Sequence, residues 1–226
     1  MGLEGIGPYH RVMSPRSRRG TATPRTPRTI IATTLATIVL VAACGAEFDP
    51  NGPCTADGKV SGAYPDMEAA VPKTYNGTPP NEVDSGRTCS TSGLGALAGH
   101  GVKELRFAGA TWQTGTQSGL TLATFASVDG PTLDPAWLSE FYETTAQGAK
   151  NIQSIDTSDL TVANVPAHRL DVLNDESYQT VIVWPKEDRV MAVLVGDFIR
   201  EVSTKEAHEK IVQSALDAAI GGTTGG

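Results

Sequence analysis

The stretch "SYQTVIVWPKEDRVMAVLV", Ser177–Val195, decides the fold. Two β-branched runs flank "PKED", and Pro185 stands at the front of that turn, which is the pattern of a β-hairpin. Both parities of the runs are apolar: Thr180, Ile182 and Trp184 on one, Val181 and Val183 on the other. A strand that meets water on one face alternates polar with apolar; one covered on both faces does not. The hairpin therefore belongs in the middle of a sheet with a layer on each side.

The neighbouring segments supply the layers. Downstream, "STKEAHEKIVQSALDAAIGG" reads as a closing helix. Ser203 and Glu206 have capping-box spacing, Ala207, Ile211, Ala215, Leu216 and Ala219 form its apolar stripe, and Gly221 is a stop. Upstream, "LTVANVPAHRLDVLN" (160–174) reads as two short strands around a turn near Asn164–Pro166. "LDPAWLSEFYETTAQGA" (133–149) is a helix with Asp134 as N-cap, Pro135 at its first position and Gly148 at its end. Strands are expected at 103–113 and 120–128, short helices at 65–72 and 90–101, and a tight turn at Asn76-Gly77. Strands in runs with flanking helices give an α+β class: a single domain, 62–220, in which amphipathic helices pack a mainly antiparallel sheet. The order of "VPAHRLDVLNDESYQTVIVWPKEDRVMAVLVG" followed by "EAHEKIVQSAL" resembles the PsbP/Mog1-like domains, which implies an α/β/α sandwich of a kind also found in bacterial envelope lipoproteins. Fold does not by itself supply function.

Charge divides the chain unevenly. Residues 1–43 carry six arginines and one acid, while 44–226 carry 12 basic and 24 acidic residues. A basic leader before an acidic body is an address followed by a mature protein, and an acidic body lacks the footprint a nucleic acid needs. Ile30–Ala43 is an apolar run too short to span a bilayer and right for a signal peptide. It ends in "LVAAC". This resembles the cleavage motif of bacterial lipoproteins, and the resemblance implies a diacylglyceryl thioether on Cys44, removal of 1–43, and a protein anchored on the extracytoplasmic face of the cell membrane. More than one acyl chain makes such an anchor stable. A conventional signal peptide cut after "VAA" is the competing reading. "SRRG" (Ser17–Gly20) raises twin-arginine export, and Met13 is a second possible start.

Removing Cys44 leaves Cys54 and Cys89, an even pair in a disulfide-permitting compartment, and a bridge between them is expected. Residues 44–61, rich in Pro, Gly, Asp and Asn, read as a tether, and 221–226 as a frayed tail.

Chemistry is hard to find in the body. A nucleophile elbow is absent, and "GLGALAGHG" (93–101) lacks the lysine of a phosphate loop. His100, His168 and His208 have no ligand spacing, so neither metal nor cofactor is expected. His168 alternates with Leu170 and Val172 on an inward parity, and His208 falls at the border of the last helical stripe, half solvated. "NDESY" and "PKEDR" are solvated turns without a calcium-loop pattern. Trp112, Trp137, Phe141, Tyr142 and Trp184 are grouped as a pocket between the middle helix and the sheet, suited to an apolar small molecule. The leading reading is a non-enzymatic lipoprotein that binds a protein or an apolar small molecule. The rivals are an envelope hydrolase or transferase with scattered residues, such as His168 and Asp171, and an assembly factor of a membrane complex.

Overall fold

The computed structural model describes residues 48–221. In chain order the elements are β1 (Gly58–Val60), α1 (Pro65–Ala70), β2 (Glu82–Thr88), α2 (Thr91–Leu94), α3 (Ala96–Gly99), β3 (Glu104–Gln113), β4 (Gly119–Val128), α4 (Pro135–Gln147), β5 (Ile152–Val162), β6 (Val165–Asn174), β7 (Ser177–Lys186), β8 (Arg189–Phe198) and α5 (Lys205–Gly221). They form one eight-stranded antiparallel sheet of order β1-β2-β3-β4-β8-β7-β6-β5. It consists of two meanders, β1 to β4 and β5 to β8, zipped together where β4 pairs with β8. The chain reaches the second meander by carrying α4 across the sheet to its far edge.

The hairpin sits where its two apolar parities require. β7 and β8 are interior strands. Ile182, Trp184, Val193 and Val195 belong to the core beneath α1 and α5; Val181, Val183, Ala192 and Leu194 belong to the core beneath α4. The turn is tighter than "PKED" suggests: the strands pair through Lys186 and Arg189, leaving Glu187 and Asp188 as the two turn residues, with Glu187 at a φ of 56°. Leu138 of α4 is fully buried, so truncating it to Ala would cost about 2–5 kcal/mol.

Several expectations change. The two strands expected within 160–174 are 11 and 10 residues long, meeting at a turn of Ala163 and Asn164, both at positive φ. The amino-terminal part of β5 sets Ile152 and Ile155 among polar residues, as an edge strand can, which hid it from a search for apolar alternation. β2, "EVDSGRT", was hidden for a related reason. Its Gly86 is required by close approach, since a Cβ there would lie 2.3 Å from the Gly58 carbonyl oxygen and 2.7 Å from the Phe107 ring. The helix expected at 90–101 is broken at Gly95, whose φ of 50° no helix accommodates. The closing helix is capped by Thr204, whose hydroxyl accepts from the Ala207 N–H, rather than by Ser203.

The tether reading gives way over the described part of 44–61. The guanidinium of Arg87, which is 2% exposed, donates to the carbonyls of Asp49, Gly52 and Pro53 at 2.8–2.9 Å. Asp57 accepts from the backbone N–H groups of Cys89 and Ser90, Cys54 and Cys89 are joined by a disulfide, and β1 pairs with β2. This segment has no periodicity because its backbone is satisfied by side chains from elsewhere in the chain. Gly221 likewise belongs to α5 rather than to the tail; Cys44 and 222–226 lie outside the described residues.

Candidate functional site

The sheet separates the five aromatic residues expected to share a pocket. Trp112 and Trp184 lie in the core on the α5 side, while Trp137, Phe141 and Tyr142 lie on the α4 side. Sequence spacing placed them on elements that pack together, but the facing of each strand position is what decides the partner. Trp112 is a core residue, its indole N–H donating to the Thr78 carbonyl at 2.9 Å. Trp137 stacks on His100 at 4.7 Å, and Phe141 meets Tyr142 edge-on at 5.4 Å. Complete burial pushes the Tyr142 phenol up from its ordinary range.

Trp184 is the member that lines an apolar cavity, of about 360 Å³. The cavity lies over Trp184 and Met191, beside the last turn of α5 and the β7–β8 turn. Val165, from the start of β6, and Ala219 and Ile220, from the last turn of α5, form its walls; Lys186 and Glu187 contribute charge at the hairpin turn. The volume is within the range of small-ligand sites. The Trp184 side chain is 4% exposed. The cavity offers the Trp184 indole N–H from an aromatic and aliphatic floor and the Lys186 ammonium at its charged end.

The other end of α5 is pinned by a buried polar row that sequence reading missed. His208, expected to be half solvated, is 3% exposed. Its Nδ1 lies 2.6 Å from Asp197 Oδ2 and its Nε2 2.9 Å from Thr180 Oγ1. The Thr180 hydroxyl donates to Asp171 Oδ1 at 2.6 Å. Arg169 then donates to Asp171 through Nε and Nη2, at 2.7 and 2.9 Å, and to Glu209 through Nη1 and Nη2, at 2.9 and 2.6 Å. The single hydroxyl hydrogen of Thr180 goes to Asp171. Burial opposes the charge on Asp171, but the hydrogen bonds from Arg169 and Thr180 outweigh it and hold the carboxyl below its ordinary range. The Arg169 hydrogen bonds do the same for Glu209, and together the two acids push the Arg169 guanidinium up.

Acid, imidazole and hydroxyl stand in the order of a nucleophilic triad, but the hydroxyl is committed to a second carboxylate and the imidazole is enclosed. The row fastens β6, β7 and β8 to α5. The signal for it in the sequence was an acid, Asp197, at the strand parity occupied by Val193 and Val195.

His168 and Asp171 do not meet. His168 faces α4 and pairs with Asp159 at 2.8 Å, whereas Asp171 faces α5. Among the described residues no group of three or more potential ligands could hold a metal, and no helix is long and apolar enough to cross a membrane.

No family model matches the chain, and no curated protein matches it. Among solved structures, the chain is similar to the solution structure of cyanobacterial PsbP (CyanoP) from Synechocystis sp. PCC 6803. Identity is 12%, the match covers 80% of this chain and 96% of that one, and the TM-score is 0.32.

Proposed function

We propose that this protein is a lipid-anchored binding module of the cell envelope, without enzymatic chemistry, that takes a small apolar molecule in the Trp184 cavity. The observation that carries the reading is the cavity itself: a Trp–Met floor, aliphatic walls and one indole donor. The basic leader ending at Cys44, the acidic body and the Cys54–Cys89 bridge support an extracytoplasmic setting. A ligand that fits has a flat apolar body with one carbonyl, ether or hydroxyl oxygen to accept from Trp184 Nε1.

Titration of the protein with 2-naphthol, read through tryptophan fluorescence, tests this. Saturable quenching is expected, and Val165→Trp, which fills the cavity from its partly exposed wall, should weaken it at least about tenfold, or roughly 1.4 kcal/mol. Quenching that never saturates, or that Val165→Trp leaves alone while the variant remains folded, overturns the reading. Intact mass of protein taken from native membranes tests the anchor, with an acylated Cys44 as the expected amino-terminus.

A further inference from the structure

β5 ends the sheet, and nothing pairs with its outer side among the described residues. It is 11 residues long, twice the usual strand, and contains neither proline nor lysine. Its outward N–H and C=O groups are a template for another strand. Beside it, between α4 and β5, runs a cleft of about 260 Å³ lined by Glu140, Glu143, Thr157, Asp159, His168 and Arg169, among others; the Arg169 guanidinium is spent on Asp171 and Glu209. Glu140 is paired with His100, Glu143 with the Gln147 amide, and Asp159 with His168, so each acid retains a free lone pair toward the cleft. α4 and β5 hold Glu140, Glu143, Asp156 and Asp159 and not one Lys or Arg.

From this we infer that β5 is the docking edge for an extended basic segment of a partner protein, added as a ninth strand with alternate Lys or Arg side chains reaching the α4 cleft. Charge selects this occupant. A second copy adding through β5 would bring its own Asp159 and no cation to the cleft side. A basic strand at the ordinary interstrand spacing of about 4.8 Å meets complementary charge on the cleft side instead. The inference is independent of the Trp184 cavity, which lies on the other face of the sheet.

The probe is an acetylated peptide of about twelve residues alternating Lys and Thr, long enough to span β5. It is titrated into the folded protein at low salt by calorimetry, with amide exchange followed in parallel. Binding is expected together with slowed exchange across 152–162. The same peptide with every backbone amide methylated, and the Glu-for-Lys peptide, should not bind. Glu140→Gln with Glu143→Gln should weaken the Lys peptide about tenfold while leaving the fold intact. Equal binding by the methylated peptide, or binding without protection of β5, reduces the contact to diffuse charge attraction and overturns the proposal. So does an absence of binding.

Discussion

The two edges of the sheet are finished in opposite ways. β1 is three residues long, and its hold on β2 depends on groups outside the ladder: the Cys54–Cys89 bridge, the buried Arg87 guanidinium and the Asp57 carboxylate. An edge so short, with Lys59 paired to Asp84, offers little to another chain. β5 depends on its own ladder, paired with β6 from end to end, and is guarded only by Asp156 and Asp159. Among the described residues, one edge is closed by long-range staples and the other has no outer partner and carries acids on its cleft side. Stability and recognition have been separated onto opposite ends of one sheet.

The largest test of that contrast is removal of the bridge. Cys54→Ala with Cys89→Ala should cost roughly 3–4 kcal/mol in urea denaturation, from a loop closed over a sequence separation of 35. Amide exchange should speed in 48–60 and remain unchanged in β5. Equal loosening of both edges would break the comparison.

Arg87→Met comes next. It strands three carbonyls and leaves Glu104, 3.8 Å away, without its buried cation. A loss of about 2–3 kcal/mol is expected, with protease sensitivity confined to the amino-terminal segment.

At the opposite side, Arg169→Met should cost about 2 kcal/mol at neutral pH. Asp171 and Glu209 have folded-state values below their ordinary 3.8 and 4.5. Their contribution is complete above that range and is lost as pH falls through the lowered values. The gap between wild type and Arg169→Met in denaturation midpoint should therefore narrow below about pH 4. A constant gap down to pH 2 would mean that the two carboxylates do not carry it.

The smallest effect belongs to Thr157→Lys on the exposed edge. Stability should move by less than about 0.5 kcal/mol, while the alternating Lys–Thr peptide loses its seat to a like charge. Thermal melting and calorimetry on one preparation separate the two.

Legibility followed burial on both faces. Ser177–Val195 announced an interior hairpin because both its parities are apolar, and 133–149 announced α4 because Asp134 and Pro135 mark its start. β2 and the amino-terminal half of β5 were silent because edge and near-edge strands need no apolar alternation. The 48–61 segment was misread as a tether because Pro, Gly and Asn look alike whether a backbone is solvated or bound by Arg87. His208 looked amphipathic on its helix because its partners, Asp197 and Thr180, come from strands at other places in the chain.

The amino-acid order alone determined the class of elements, the central hairpin, the pairing of Cys54 with Cys89 and the charge asymmetry, since each is local or depends on counting. Only the tertiary structure decided that Trp184 parts company with Trp137, Phe141 and Tyr142, that His208 is enclosed with Asp197 and Thr180, and that β5 has no outer partner among the described residues. Those outcomes depend on which face each strand position presents and on where strands end relative to one another, and such relations arise only when distant segments pack.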